Sequence, residues 1–315
     1  FNSRGEAIAL LKSFEEDFHT VDVDGNETPK KIPEQNKTYN VYRAIKLGLG
    51  DFFVKNGFKT ACLGLSGGID SAVVLSMAAE TLGPENIRVL LMPSQFSSDH
   101  SVEDARELAE NLGVEYQIVP INETFAALTA TLGPVFGELP FNVAEENMQA
   151  RIRGMMMMAI SNKFGNVLLA TSNKSEIAVG YGTLYGDTVG ALSIIGDLYK
   201  SEVYDLARYI NRQREIIPLN TIMKAPSAEL RLEQKDSDSL PPYDVLDAIL
   251  YRMIEEGQSR EEIINAGFDE DEVYKVYNLV VKSEFKRYQS CPTLRLSTRP
   301  MRTGRTMPLT NKYGC

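Results

Sequence analysis

The most constraining feature of this chain is a glycine-rich turn between an apolar strand pattern and an apolar helical pattern. Residues 59–83 read KTACLGLSGGIDSAVVLSMAAETLG, and the turn is Ser-Gly-Gly-Ile-Asp-Ser at residues 66–71. Two adjacent glycines let the backbone approach a polyphosphate closely, and the free N–H groups at the start of the helix point at it. Hydroxyls of Ser66 and Ser71 add donors. The pattern therefore predicts a phosphate-binding loop.

Asp70 stands inside this loop, where a bare carboxylate would repel bound phosphates. The acidic residue makes chemical sense if Mg²⁺ lies between it and the phosphates. The loop is not a Walker A loop, because no lysine follows Gly68. It instead resembles the S-G-G-x-D-S loop of the ATP pyrophosphatases, the PP-loop, whose members cleave ATP between the α- and β-phosphates. An ordinary glycine-rich turn is the alternative interpretation.

Composition and charge narrow the class of protein. The 315 residues are 43% hydrophobic and 24% charged, which is typical of a globular protein. The net charge of −10 argues against a general nucleic-acid binder. No apolar run approaches the roughly 20 residues of a membrane helix, and no signal peptide pattern is present, so we expect no membrane partner. Cys62, Cys291 and Cys315 form no metal or disulfide spacing, which favours the cytoplasm.

The charge is unevenly distributed along the chain. Residues 282–315 carry eight Lys or Arg and one acidic residue, a net charge of +7 against −17 for the rest. We interpret residues 291–315 as a basic, solvated C-terminal tail. The alternative is that one or two of these cations bind a phosphate or carboxylate.

Short apolar strands alternate with helical patterns through the first half of the chain. Beyond the first strand, we predict strands at 87–92, 115–121 and 166–170, and helices at 6–18, 101–112, 123–132, 143–164 and from about 200. This alternation predicts an α/β fold with a doubly wound parallel sheet, and later helical patterns predict a C-terminal helical extension. Ligands of such folds lie beyond the carboxyl ends of the strands, where Ser66, Pro93 and Thr171 fall.

A glycine-rich stretch from Ala170 to Ile210 follows the last of these strands and is expected to cover a site. Glu176 is placed as a second acidic metal group, and Lys200 near a helix start is placed to meet phosphate. Asp187 beside Gly186 fits a turn and a ligand role equally.

The helix predicted at residues 143–164 carries two further features. Asn147 and Arg151 are four residues apart and so share a helix face. Four methionines at 155–158 indicate adaptable packing in the core or at a dimer interface, in preference to a metal site.

The motifs GLSGGIDSA, MPSQFSSDHS, AEENMQARIRG, TSNKSEIAVGYGTLYGD and KRYQSCP together resemble the NAD synthetases. The resemblance covers about residues 38–308 and is to the synthetase portion of the glutamine-dependent type. It implies a Rossmann-like fold of the adenine nucleotide alpha-hydrolase type. It also implies the activity: ATP adenylates the nicotinate carboxylate of deamido-NAD with release of pyrophosphate, and ammonia then displaces AMP to give NAD.

The resemblance also implies roles for individual residues. Asp70, Glu176 and Lys200 are the implied catalytic residues, and Asp70 and Glu176 would hold Mg²⁺. The implied ATP-binding residues are Gly64, Leu65, Ser66, Gly67, Gly68, Ile69, Asp70, Ser71, Thr171, Lys200 and Ser227. The implied deamido-NAD-binding residues are Asn147, Arg151, Glu176, Asp187 and Lys286.

The resemblance implies a division of the chain and a set of partners. Residues 1–37 would be a lead-in from a missing upstream glutaminase domain, residues 38–290 the synthetase domain, and the family forms homodimers. Without a glutaminase catalytic set, the chain is expected to depend on ammonia. Other PP-loop enzymes, such as a GMP synthetase or a tRNA-thiolating enzyme, are the first alternative, and a non-catalytic nucleotide-binding protein is the second.

Overall fold

The computed structural model of the chain describes residues 1–22, 28–231 and 234–310. Five parallel strands form one sheet in the order β3-β2-β1-β4-β5. The strands are β1 Ala61–Gly64, β2 Ile87–Leu91, β3 Tyr116–Ile118, β4 Val167–Ala170 and β5 Leu192–Ser193. The predicted doubly wound parallel sheet is confirmed. Strand β5 was not predicted, because two residues among glycines carry no readable alternation.

The α-helices cover both faces of the sheet and continue beyond it. They are α1 Lys37–Asn56, α2 Ile69–Leu82, α3 Asp99–Leu112, α4 Asn122–Phe136, α5 Val143–Phe164, α6 Lys174–Val179, α7 Lys200–Ile210, α8 Leu219–Met223, α9 Tyr243–Ile254, α10 Arg260–Asn265, α11 Glu270–Lys282 and α12 Glu284–Arg287. Helices α1, α2, α3 and α7 pack on one face in the larger core. Helices α4 and α5 pack on the other, where Cys62, Leu90 and Ile152 are buried.

A second apolar core lies among the helices that follow the sheet. Leu246 and Ile249 of α9 and Val276 of α11 are buried there against Ala178 of α6. This confirms the predicted C-terminal helical extension. Helix α6 follows the carboxyl end of β4 and also packs in this second core, so it connects the extension to the edge of the sheet. No helix of the described ranges is both long and apolar enough to cross a membrane.

Local sequence signals account for most helix boundaries. Asn142 and Glu145 form a capping box at the start of α5, and Gly165 ends that helix with a φ of 69°. Helix α3 begins at Asp99, two residues before the predicted start at residue 101, and is capped by Ser98, whose side chain accepts the N–H of Ser101.

The helix predicted at residues 6–18 is wrong. These residues form turns and extended chain, in which the Ala7 carbonyl accepts the N–H of Lys30. Ala7 and Ile8 are buried, whereas Leu10, Leu11 and Phe18 are exposed. A short helix is stable only when its apolar face packs, and most of this one has nothing to pack against.

The described part of the basic tail is not freely solvated, which corrects that interpretation. Thr293 bridges to Ser193 of β5, and the N–H of Ser193 donates to the Pro292 carbonyl at 2.9 Å. Met301 is buried against the second apolar core. The tail thus runs along the edge of the sheet. Lys312 and Cys315 lie outside the described residues.

Candidate active site

A cavity of about 900 Å³ opens beyond the carboxyl ends of β1, β2 and β4. Its walls come from the loop before α2, from α5, from residues 180–189 and from residues 224–231 and 234–239. All the predicted site residues except Gly67 and Arg151 line it. The topology explains this convergence, because parallel strands end at one edge and their following loops meet there.

The Ser-Gly-Gly-Ile-Asp-Ser loop is closed by its own hydroxyls. Ser66 Oγ and Ser71 Oγ lie 3.1 Å apart, and Ser66 Oγ accepts the N–H of Gly68 at 3.2 Å. Gly67 has a φ of 79°, and a β-carbon there would lie 2.1 Å from the Ser101 carbonyl oxygen. Only glycine fits this position, which explains one of the two adjacent glycines.

Lys200 connects the two predicted acidic residues. Its Nζ lies 2.5 Å from Asp70 Oδ2 and 3.3 Å from Glu176 Oε1. Asn173 completes the group, because its side-chain amide donates to Asp70 Oδ1 at 2.8 Å while its Oδ1 accepts the N–H of Glu176. Residues from the starts of α2, α6 and α7 thereby form one hydrogen-bonded cluster.

Burial and charge shift the ionisation of this cluster. Burial, reinforced by the nearby charge of Asp70, raises the pKa of Glu176 to about 8 despite the attraction of Lys200. Burial disfavours the charge of Lys200, but the carboxylates of Asp70 and Glu176 outweigh it and raise the pKa of Lys200. Asp236, which accepts hydroxyl hydrogen bonds from Tyr181 and Tyr243, adds further negative potential. Glu176 therefore retains a proton near neutral pH unless a further cation enters the cluster.

A second polar group also lines the cavity. Asp187 Oδ1 accepts the N–H of Thr183 at 2.6 Å, and the Thr183 hydroxyl donates to Asn147 Oδ1 at 2.6 Å. Lys286 Nζ donates to the carbonyls of Gly180 and Gly182 at 2.8 and 2.9 Å. Burial raises the pKa of Asp187 and lowers that of Lys286. Three of the predicted deamido-NAD residues are thus brought together around residues 180–187.

Arg151 is placed elsewhere. Its side chain is exposed and its Nε donates to the Leu184 carbonyl at 3.2 Å outside the cavity wall. Arg153, which the sequence analysis did not select, lines the cavity instead and donates from Nε to the Met92 carbonyl at 2.9 Å. Within the described ranges it forms no ion pair, and burial lowers its pKa to about 10. The two arginines are two residues apart, so a helix turns them to different sides.

Residues 224–231 and 234–239 contribute to the wall of the cavity. Ser227 Oγ donates to the Gln234 carbonyl at 2.6 Å, within its own segment. Glu229 reaches the start of α3, where its Oε1 accepts the hydroxyls of Ser98 and Ser101 at 2.9 and 2.7 Å. Thr171 directly follows β4 and also lines the cavity.

Several residues of the site were not selected from the sequence. They are Asn173, Asp236, Arg153 and Glu229. Asn173 had a readable signal, because Asn-x-x-Glu at 173–176 is a capping-box pattern that follows a strand. The other three depend on how distant segments meet, which no local pattern records.

Comparison with known proteins agrees with this geometry. The family model described as NAD synthase matches residues 41–290, which include the loop, the acidic pair and Lys200. The chain belongs to the NAD synthase family. Its relatives include glutamine-dependent NAD(+) synthetases from Synechocystis sp., 49% identical over 99% of the chain, and from Thermotoga maritima, 42% identical over 99% of the chain. The chain spans 57% and 61% of the lengths of these two relatives.

Solved structures of family members show the same fold. A glutamine-dependent NAD+ synthetase from Acinetobacter baumannii in complex with ADP is 41% identical, with a TM-score of 0.61 over 89% of this chain and 51% of its own. An NMN synthetase from Francisella tularensis is 27% identical, with a TM-score of 0.69 over 79% of this chain and 95% of its own. The fold therefore occurs both in a glutamine-dependent NAD+ synthetase and in an NMN synthetase, according to their names.

Proposed function

We propose that this chain synthesises NAD from deamido-NAD, ATP and ammonia. The nicotinate carboxylate attacks the α-phosphorus of ATP, pyrophosphate leaves, and ammonia then attacks the adenylated carbonyl and expels AMP. The observation that carries the proposal is the cluster of Asp70, Glu176 and Lys200 beside the glycine-rich loop. It combines an anion-binding loop with a buried cation and two carboxylates.

The main obstacle to this reaction is electrostatic. A carboxylate must approach a triphosphate of like charge, so positive groups must surround both before in-line attack. The N–H groups at the start of α2 and the hydroxyls of Ser66 and Ser71 are positioned to receive phosphate oxygens. Lys200 is held charged by its two carboxylate partners and supplies a fixed cation at the same place.

The acidic pair fits a Mg²⁺ ion that arrives with ATP. Asp70 and Glu176 offer carboxylate oxygens, the ligand type that Mg²⁺ prefers, and with Glu176 ionised the cluster would hold excess negative charge. Within the described ranges no three acidic, histidine or cysteine side chains are grouped for metal binding, so phosphate oxygens and water would supply the remaining ligands. When bound, Mg²⁺ would neutralise charge on the phosphates.

The second polar group of the cavity suits the second nucleotide. Asn147, Asp187 and Lys286 present an amide, a carboxylate and a cation at one end of the cavity, and we assign deamido-NAD to this end. Arg151 lies on the exposed side of α5 with Met155 and Met158. We propose that a second copy of the chain packs on this side, which would bring Arg151 into a substrate site shared by the dimer.

We propose ammonia as the nitrogen source that this chain uses by itself. We propose that in the full-length protein an upstream domain releases it from glutamine, as the names of the longer relatives suggest. The described cysteines are free thiols, and we propose a cytoplasmic location on that basis.

The deciding experiment offers the chain alternative substrates. The purified chain is incubated with Mg²⁺, ATP and ammonium plus deamido-NAD, and AMP, pyrophosphate and NAD are followed by mass spectrometry. We expect all three products in equal amounts. Parallel incubations with nicotinate mononucleotide and with xanthosine monophosphate test the NMN synthetase and GMP synthetase alternatives. Product from either one, with none from deamido-NAD, would contradict the proposal.

A further inference from the structure

A buried ion cluster joins the C-terminal segment 296–299 to the helix that carries Glu176. Lys174 is the first residue of α6, and its side chain has no exposed surface. Its Nζ lies 3.0 Å from Asp197 Oδ1 and 2.5 Å from Glu255 Oε1. The same Nζ donates to Ser297 Oγ at 2.7 Å and to the Arg299 carbonyl at 3.0 Å. Two of its four oxygen partners therefore come from the tail.

The tail also donates to both carboxylates. Asp197 Oδ2 accepts the N–H groups of Leu296 and Ser297 at 2.8 and 2.7 Å, and Asp197 Oδ1 accepts the Ser297 hydroxyl at 2.9 Å. Glu255 Oε2 accepts the N–H of Arg299 at 3.0 Å and the hydroxyl of Thr298. We call Lys174, Asp197, Glu255 and residues 296–299 the tail clamp. Every carboxylate oxygen in it has a partner.

The clamp acts on the turn of helix that faces the catalytic cluster. Asn173 and Glu176 form hydrogen bonds with Asp70 and Lys200, respectively. Lys174 and Ser175 lie between them in sequence but bind other groups, Lys174 those of the tail clamp. Ser175 Oγ donates to Asp247 Oδ1 at 2.5 Å and accepts the N–H of Lys200 at 2.9 Å. The Lys174 ammonium also lies 5.0 Å from the ring centre of Tyr199, the residue before Lys200. Through these contacts, Lys174 and Ser175 link the start of α6 to the start of α7.

We propose that the tail clamp positions Asn173 and Glu176 against Asp70, so that residues 296–299 belong to the machinery of the active site. These residues lie beyond the end of the family match at residue 290. The inference rests on the proposed synthesis of NAD. Satisfied polar networks in a low-dielectric interior are directional and rigid, and errors of about 1 Å at reacting groups lower rates strongly.

The test removes tail hydroxyls without leaving a buried charge unpaired. The double variant Ser297→Ala/Thr298→Val deletes the hydroxyl bonds to Lys174, Asp197 and Glu255 and keeps all three charged groups. Thr303→Val is the matched control, because Thr303 is also an exposed tail threonine. We expect the double variant to lose about tenfold in kcat with KM for deamido-NAD changed less than about twofold. Its amides at 173–179 should exchange hydrogen faster, while Thr303→Val matches the unmodified chain.

Two readouts separate positioning from simple packing. A wild-type value of either kcat or amide exchange at 173–179 overturns the proposal, even where the melting temperature falls. If the unmodified chain makes no NAD, the proposed function fails. The exchange comparison needs no substrate and still decides whether the tail holds α6 in place.

Discussion

Lys200 Nζ lies 2.5 Å from Asp70 Oδ2, although 130 residues separate the two in the chain. The contact joins the start of α7 to the start of α2 across the carboxyl edge of the sheet. Its consequence is a lysine that stays charged while buried, next to the loop proposed to bind ATP. The predictions below test this cluster and its surroundings.

The acidic pair is tested by isosteric neutralisation. Asp70→Asn and Glu176→Gln should each lower the rate of pyrophosphate release at least about 100-fold, because one charge that neutralises a metal is lost in a water-poor site. Circular dichroism should show an intact fold. Asp205→Asn, which removes an exposed carboxylate of α7, is the control. Near-normal pyrophosphate release by either variant would reject the metal role.

Replacing Arg153 of α5 is expected to weaken substrate binding without lowering the stability of the fold. Arg153→Met removes a partly buried cation that pairs with no carboxylate in the described ranges, so the melting temperature should stay or rise. An incoming anion would lose its partner, so KM for ATP or deamido-NAD should rise about tenfold. Steady-state kinetics and differential scanning fluorimetry measure both. A lower melting temperature with unchanged KM would assign Arg153 to packing alone.

Glu255 makes stability depend on pH. Burial works against its charge, but hydrogen bonds from Lys174 and Thr298 outweigh burial and hold the pKa of Glu255 below its usual value. The unfolded chain therefore binds more protons near pH 4, and the stabilisation by Glu255 is present above about pH 4.5 and lost as pH falls through the folded-state pKa. Glu255→Gln should cost about 2 kcal/mol at pH 7 and progressively less below pH 4.5.

Urea unfolding across this pH range measures that difference. The adjacent Glu256→Gln is the matched control, because Glu256 is exposed and its 3.8 Å pair with Arg252 is expected to contribute less than about 1 kcal/mol. A Glu255→Gln difference that stays constant from pH 7 to pH 4 would show that the carboxylate charge does not stabilise the fold.

The dimer is tested at the exposed side of α5. Sedimentation at micromolar concentration should show a species of about twice 35.1 kDa. Met155→Glu, at a side chain with 60% exposure, should give monomers and lower activity, because a buried glutamate would lack a partner. Val54→Glu on α1, across the sheet, should change neither. A fully active monomer would remove the idea of a shared substrate site.

The nitrogen source follows from the state of the thiols. Burial raises the pKa of Cys62 to about 12 and that of Cys291 to about 11, so neither supplies a thiolate at neutral pH. Cys315 lies outside the described residues. Residues 1–315 should make NAD with ammonium and fail with glutamine, and replacing all three cysteines by serine should leave ammonium-dependent turnover largely unchanged. Efficient glutamine-dependent synthesis would reveal a glutaminase site in this chain.

The sequence by itself determined four strands of the sheet, the glycine-rich loop and the acidic residue within it. Strands of the parallel sheet are continuous apolar runs, which can be recognised locally. The loop is a contiguous motif in which Gly67 adopts a positive φ that other residues rarely adopt. Such features need no distant partner to be recognised. The same holds for α5, whose predicted bounds agree with those observed because a capping box and a glycine mark its two ends.

Tertiary structure alone decided which charged groups meet. Arg151 and Arg153 are the same residue type on one helix, so the sequence does not distinguish them. Only the packing of α5 against the sheet exposes Arg151 and places Arg153 at the cavity. The basic tail likewise reads as solvated, yet its hydroxyls and N–H groups bind carboxylates that folding places beside it. The physical reason is that hydrogen bonds and ion pairs join atoms a few ångströms apart in space, whereas a local sequence pattern reports only on neighbours along the chain.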